Sequence, residues 1–274
     1  MTLAIDTFSW VSDLVRKRSA IQLEAGKEYL VESRLLPLAR AAGVTDVDAY
    51  VRGVRQAGAP SVIEAVVEAL TTNETSWFRD SQPFTTLKDH LVPELLADRP
   101  MGSGLRIWSA ACSSGQEPYS ILMVLEDLVT ARRLQVLGTD LNQQMVDRAR
   151  TGRYNQLEIN RGLPAPLLVK YFQRSGADWE VAPALRSAAT FTKHNLLDAP
   201  PSGGPFDVVF LRNVLIYFDL ATKRDVLNRI RQVLRPGGYL FLGAAETTIG
   251  IDDRWERVSH GKGSVYRLAA GRAA

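Results

Sequence analysis

Between Leu105 and Val129 the chain reads LRIWSAACSSGQEPYSILMVLEDLV, and this stretch narrows the possible folds more than any other. Leu105, Ile107 and Trp108 suit a buried strand, whereas Ile121, Leu122, Val124, Leu125 and Leu128 recur at helical spacing. Between them lies Ala110-Ala111-Cys112-Ser113-Ser114-Gly115, a loop of very small side chains. Such a loop lets a ligand lie against the backbone, and the amides that open the following helix can meet a negative group. Pro118 fits a first helical turn. A strand, a tight small-residue loop and a helix in this order form a cradle for a nucleotide cofactor, although a plain structural turn of an α/β fold can look the same.

Length and composition limit the rest. At 274 residues the chain holds one large domain or two modest ones. With 46% hydrophobic and 23% charged residues it belongs among folded globular proteins. No apolar run reaches the roughly 18 residues a bilayer span needs, and Met1 to Trp10 lacks the basic-then-apolar pattern of a leader, so a cytoplasmic location is the expectation. The single cysteine, Cys112, has no partner for an internal disulfide and no metal-ligand spacing. Thirty-three basic against 30 acidic residues is too even a balance to demand a nucleic-acid partner.

Before the cradle, residues from about Asp6 to Leu70 read as helices. Phe8, Val11, Leu14 and Val15 share one face, and Tyr29, Leu30, Leu35, Leu36 and Leu38 crowd a second segment. Gly43, Gly53, Gly58 and Pro60 punctuate the region, and Ser61 is a candidate cap for a third helix through Val62, Val66, Val67 and Leu70. Arg34 and Arg40 lie on the second segment, either as solvated charges or as a docking surface for an acidic helix. TTNETSWFRDSQPF, Thr71 to Phe84, is odd for a linker. Asn73 and Thr75 supply short-range donors and acceptors, and Arg79 supplies a fork suited to a carboxylate. Pro93 and Pro100 are expected to frame a helix leading into the cradle.

After the cradle, Leu134 to Asp140 (LQVLGTD) reads as a second strand that ends in an acid. An acid there can accept from both ribose hydroxyls of an adenosine-bearing cofactor. Asn142 to Arg150 reads as a helix, and residues 152–189 as an inserted subdomain with a short helix at Pro166 to Phe172 and short strands at Trp179 to Val181 and from Leu185 onwards. Further strands follow at Thr190 to Asp198, Phe206 to Leu211 and Tyr239 to Gly243, with a helix around Lys223 to Leu234 and the turn Arg235-Pro236-Gly237-Gly238. Trp255 to Leu268 allows two antiparallel strands. Alternating strands and helices imply a mostly parallel sheet with ligands at its carboxyl edge, where Glu117, Asp140, Asn195 and Asn213 all follow strand ends. A dinucleotide dehydrogenase is disfavoured by the absence of G-x-G-x-x-G, and His90, His194 and His260 are too scattered for a metal site.

The LRPGG turn with the terminal strands resembles the Rossmann-like S-adenosylmethionine methyltransferases. TTNETSWFR, IWSAACSSGQEPYS, GTDL, RGLPAPLLVKYF, HNLL, FLRNVLIYFD and LRPGGYLFLGAAE, in that order, narrow the resemblance to the CheR-type chemoreceptor protein-glutamate O-methyltransferases.

That resemblance implies an all-α N-terminal domain, residues 1–80, and a Rossmann-like α/β methyltransferase domain, residues 81–274, with a small β-subdomain inserted at about 152–189. It implies S-adenosylmethionine as cofactor and S-adenosylhomocysteine as product. The family's cofactor contacts match Asn73, Thr75, Arg79, Glu117, Asp140, Asn195 with Leu196, and Asn213 with Val214. Glu117 is then expected near the cofactor's ammonium or neighbouring amides, Asp140 at the ribose, and Asn195 with the Leu196 amide at the adenine edge. Arg79 and Tyr217 fall to the reacting end, Arg79 orienting a carboxylate and Tyr217 lining the methyl channel. Arg34 and Arg40 match basic residues that dock the helical region of a receptor, and in some members the β-subdomain grips a receptor's C-terminal peptide. The implied reaction is in-line displacement by a glutamate oxygen, with no metal, no general base and no nucleic-acid substrate. An amine-methylating enzyme would show an Asn/Asp-Pro-Pro-aromatic motif where this chain has RNVLIYF. A cofactor-binding adaptor without methyl transfer is the alternative from another class.

Overall fold

The computed structural model describes residues 3–97, 99–131, 133–260 and 263–269. The chain divides into two compact units, Met1–Thr72 with Tyr217–Thr222, and Asn73–Ile216 with Lys223–Ala274.

The first unit is built from α1 (Ile5–Ser19), α2 (Glu28–Ala41), α3 (Val47–Ala57) and α4 (Pro60–Ala69). Three of them bury a stripe at i, i+3 or i, i+4 spacing: Val11 and Val15 on α1, Val31, Leu35 and Ala39 on α2, Val47, Val51 and Val54 on α3. Read as a break, Gly53 leaves no helix over the α3 residues in the sequence pattern. The structure keeps Gly53 inside the helix, where a Cβ would meet nothing within 4 Å, and ends it at Gly58 in the left-handed region (φ 59°). Asp46 caps its start by accepting from the amides of Asp48 and Ala49. The expected cap at Ser61 is corrected to Ala59, because Pro60 occupies the first helical position, where its missing N–H costs no hydrogen bond.

The second unit is organised by a seven-stranded sheet. Its strands in chain order are β1 (Leu105–Ala110), β2 (Leu134–Asp140), β6 (Ala189–Lys193), β7 (Phe206–Leu211), β8 (Leu234–Leu242), β9 (Trp255–His260) and β10 (Gly263–Leu268), and their spatial order is β6-β2-β1-β7-β8-β10-β9. The pairs β6–β2, β2–β1, β1–β7 and β7–β8 are parallel, and β10 runs antiparallel to both β8 and β9. All six residues of β7 are buried, as expected of a strand covered on both faces. β8 begins earlier than the sequence suggested: Phe206 pairs with Leu234 and Val208 with Tyr239, so the Arg235-Pro236-Gly237-Gly238 turn bulges out opposite Asp207 alone. The structure therefore belongs to the mixed-sheet, Rossmann-like class.

A second sheet, of β3 (Arg153–Tyr154), β5 (Asp178–Val181) and β4 (Phe172–Ser175) in that order, lies within the insertion after the helix Gln143–Thr151. The strand expected from Leu185 is instead the helix Pro183–Ser187, with Pro183 opening it, and β6 follows directly. Pro93 does not open a helix either. It sits within a continuous helical run of Gln82–Thr86, a π turn at Leu87–Leu91 and Val92–Ala97. Pro93 lacks an N–H and its ring crowds the preceding turn, and the wider π turn immediately upstream is a common way for a helix to absorb that disruption.

The break between the units falls after Thr72, not at residue 80. The stretch from Asn73 to Arg79 is tied into the second unit by Trp77, whose amide donates to Arg161 O at 3.0 Å and whose ring packs edge-on against Tyr154 and Phe172. Phe78 N donates to Ser120 Oγ at 3.1 Å.

Candidate cofactor site at the carboxyl edge of the sheet

Strand order reverses at β1: chain connections lead to β2 on one side and to β7 on the other. The carboxyl ends of strands at such a reversal diverge and leave a crevice that ligands occupy. Asp140 ends β2, Asn195 follows β6, Arg212 and Asn213 follow β7, and the small-residue loop follows β1. Their adjacency is a consequence of strand order, since neighbouring strands lie roughly 5 Å apart.

The loop after β1 is strained in a regular way. Ala111 (φ 61°), Ser113 (φ 50°) and Gly115 (φ 95°) all take left-handed conformations. For the two residues with a Cβ this costs on the order of 1 kcal/mol or more each, and such outliers gather at functional sites. Gly115 has no alternative, because a Cβ there would lie 2.9 Å from Ala149 Cβ and 3.1 Å from the Tyr154 hydroxyl. The strain is held from outside. Cys112 N donates to Thr139 O (2.8 Å), Ser113 N to Asp140 Oδ2 (2.7 Å), Ser113 Oγ to Asn73 O (2.8 Å) and Tyr154 Oη to Ser114 O (2.7 Å). Asp140 also accepts from Asn142 N at 2.9 Å through Oδ1. Two amides, one on each oxygen, fix the plane of this buried carboxylate.

Arg212 stands at the centre of the edge, and sequence reading gave it no role. Its guanidinium, 2% exposed, reaches Glu117 Oε2 (2.7 Å), Asp80 Oδ2 (2.7 Å) and the Arg79 carbonyl (2.8 Å), and lies 5.9 Å from the Phe84 ring centroid. Glu117 accepts a further bond from Ser109 Oγ at 2.7 Å, so its partners within the protein are a guanidinium and a hydroxyl. The sequence does contain a signal for Arg212: an arginine directly after the apolar run Val208–Leu211 enters the interior only with partners. Phe78, Asp80 and Ser81 are also left-handed (φ 48°, 64° and 39°), so the segment that meets Arg212 shares the strain of the loop.

The remaining predicted residues fall in several places. Asn195 Oδ1 accepts from Leu197 N at 3.1 Å, folding the turn after β6, with Leu196 half-buried beside it. The amides of Asn213 and Val214 both donate to a residue not foreseen, Glu246 (2.7 and 2.9 Å), and Asn213 is left-handed (φ 59°). Arg79 is half-buried, with Nη1 3.3 Å from Glu74 O, and Thr75 is half-buried in the same irregular segment. Arg34, Arg40 and Tyr217 belong to the helical unit. Arg34 donates to Thr71 O at 2.5 Å, Arg40 is exposed in the last turn of α2, and the Tyr217 carbonyl accepts from Gln22 N.

Cys112 is buried beside this edge. Burial first, and then the charges of Asp140 and Glu117, push its thiol well above the ordinary range. A raised pKa means less thiolate at any given pH, so alkylation at pH 8 is expected to be at least about a hundredfold slower in the folded protein than in denaturant. Labelling by iodoacetamide with and without urea measures this, and equal rates would contradict the burial.

The charge set suits a cationic cofactor. Along the edge, Asp80, Glu117, Asp140 and Glu246 stand beside Arg79, Arg212 and Arg257, four carboxylates against three guanidinium groups. Among the described residues, Arg212 Nε is buried without a hydrogen-bond partner. A sulfonium and an ammonium answer the excess of carboxylates. Among the described residues, no three or more His, Cys, Asp and Glu side chains gather where they could hold a metal, and no helix is long and apolar enough to cross a membrane.

Comparison with known proteins bears on the whole chain. Residues 6–71 match the family model described as CheR methyltransferase, all-alpha domain, and residues 73–263 the model described as CheR methyltransferase, SAM binding domain. The chain is 44% identical over 260 residues to the chemotaxis protein methyltransferase Cher2 of Pseudomonas putida, covering 92% of this chain and 94% of that one. It is 43% identical to chemotaxis protein methyltransferase 1 of Pseudomonas aeruginosa (97% and 99% covered) and 38% identical to the chemotaxis protein methyltransferase of Vibrio parahaemolyticus (98% of each).

Proposed function

Because the chain belongs to the CheR methyltransferase family, we propose that it transfers methyl groups from S-adenosylmethionine to glutamate side chains of chemoreceptors, with the cofactor held along the carboxyl edge of β6, β2, β1 and β7. The observation that carries the placement is Asp140, a carboxylate oriented by two amides at the end of β2 beside a strained loop of tiny residues. Bound S-adenosylmethionine supplies an electrophilic methyl on a sulfonium.

Asp140 is assigned to the ribose hydroxyls, and Asn195 with the Leu196 amide to the adenine edge. Asn73 and Thr75 line the loop side, and Glu117 with Arg212 and the Asn213-Val214 turn border the cofactor's amino-acid end. An acceptor glutamate, with an ordinary pKa of about 4.3, is already anionic at neutral pH, so the protein supplies no base. Its task is alignment, which can contribute on the order of 7–11 kcal/mol. Arg79 is assigned to orient the acceptor carboxylate, and Tyr217 keeps the role given by the family resemblance. Arg40, exposed on α2, and Arg34 are assigned to docking an acidic receptor helix. The β3-β5-β4 sheet is assigned to gripping a receptor tail by strand addition, since β4 pairs only with β5 among the described residues.

The test is incubation with labelled S-adenosylmethionine and receptor-bearing membranes, scoring methanol released by base. Methyl esters release methanol and methylamines do not. Binding of cofactor without any base-labile product would favour an adaptor.

Arg79→Lys separates alignment from charge. Lysine keeps the charge and loses the planar fork, so single-turnover methyl transfer at saturating cofactor is expected to fall about tenfold or more, a larger loss than that of cofactor affinity. Near-wild-type turnover in a well-folded protein would remove Arg79 from the reacting end. A lower melting temperature with full activity would mark it as structural.

A further inference from the structure

The turn after β7 is held by one carboxylate. Glu246 Oε2 accepts from Asn213 N (2.7 Å) and Gly243 N (2.7 Å), and Oε1 from Val214 N (2.9 Å) and Ile216 N (3.3 Å). Four amides on one carboxylate fix the backbone's course, since bonds to a charged acceptor are about twice as strong as neutral ones and hold the turn in a single conformation. Asn213 is thereby kept left-handed (φ 59°), a conformation its own Cβ disfavours.

The geometry of a trans peptide gives this a direction. N–H and C=O point to opposite sides of a trans unit, and among the described residues Gly204-Pro205 is the cis bond. With the amides of Asn213 and Val214 aimed at Glu246, the carbonyls of Arg212 and Asn213 aim away from it. Glu246 follows β8, which flanks β7 on the side opposite β1. The side of β7 opposite β8 is that of β1, where the Ala111–Gly115 loop lies. Donation to a carboxylate also polarises each peptide and makes its carbonyl a stronger acceptor.

We propose that Glu246 is a positioning residue for the cofactor: it clamps the turn after β7 so that the carbonyls of Arg212 and Asn213 receive the ammonium of the amino-acid end. This rests on the reading that the cofactor occupies this edge. Gly243 belongs to the same device, because a Cβ there would lie 2.7 Å from both Glu246 Oε2 and Asn213 Nδ2. Gly243 has no positive φ, so alanine would disturb the clamp by contact and not by backbone strain.

The experiment uses the full-length protein, wild type against Glu246→Gln and Gly243→Ala, titrated by calorimetry with S-adenosylhomocysteine and with 5′-methylthioadenosine, which keeps the adenosine and sulfur but has no amino-acid end. Both variants are expected to weaken S-adenosylhomocysteine about tenfold or more, the loss of roughly one charge-assisted bond, and methylthioadenosine less than about twofold. Hydrogen exchange of residues 213–216 in the ligand-free protein should quicken in both. Equal weakening of the two ligands, or faster exchange with unchanged S-adenosylhomocysteine affinity, overturns the proposal and leaves Glu246 a structural residue. Gly243→Ala decides the matter if Glu246→Gln fails to fold. Asp140→Ala separates the two levels. If it weakens S-adenosylhomocysteine while Glu246→Gln does not, the clamp alone falls; if neither variant does, the reading of the edge falls with it.

Discussion

Arg212→Ala is expected to lower unfolding free energy by roughly 3–5 kcal/mol and to reduce methyl transfer at least about a hundredfold, because it removes the buried partner of Glu117 and leaves that carboxylate uncompensated. Glu117, with a side chain 14% exposed, would keep only the Ser109 hydroxyl. Asp80 and the Arg79 carbonyl would lose the donor that fixes their left-handed segment, and with it the placement of Arg79. Arg212→Lys is the informative companion. A single ammonium keeps the charge but does not span two carboxylates and a carbonyl in the plane that a guanidinium fork provides, so stability should recover more than activity. Urea denaturation beside single-turnover methyl transfer measures both. An Arg212→Ala protein that matched wild type in both would show that the network serves neither the fold nor the site.

Asp140→Ala is expected to weaken S-adenosylmethionine and S-adenosylhomocysteine alike, by about 10–100-fold, since both carry the same ribose and a charge-assisted pair contributes roughly 1.5–3 kcal/mol. The alanine also strips an acceptor from Ser113 N and Asn142 N. The loop should then exchange its amides faster. Asp140→Asn keeps the shape but turns an NH2 toward one of those amides, so it should not rescue the affinity. Calorimetry with both ligands decides the assignment: unchanged affinities in a folded protein would remove Asp140 from the ribose.

Much of the fold could be read from local pattern. The stripe of α1, the buried run of β7 and the acid closing β2 are short-range features, governed by the helical and strand periods, and each lies where those periods place it; on α2 the buried stripe is Val31, Leu35 and Ala39, and Tyr29 of the expected apolar set is exposed. Sequence pattern and structure part where two local rules compete: Gly53 is a breaker by type, yet the spacing of Val47, Val51 and Val54 outweighs a cost of about 1 kcal/mol for one interior glycine, and Pro93 suits a helix start, yet a π turn absorbs it within a helical run.

The sequence by itself determined the alternation of strands and helices, the small-residue loop and the candidates at strand ends, because those depend on neighbours a few residues away. Only the tertiary structure decided which charges meet. Arg212 finds Glu117 across 95 residues and Asp80 across 132, and Glu246 gathers amides up to 33 residues distant. No periodicity encodes such partners. They are chosen by strand order, which brings the carboxyl ends of β1, β7 and β8 side by side, and by the cost of leaving a buried charge or amide without a partner.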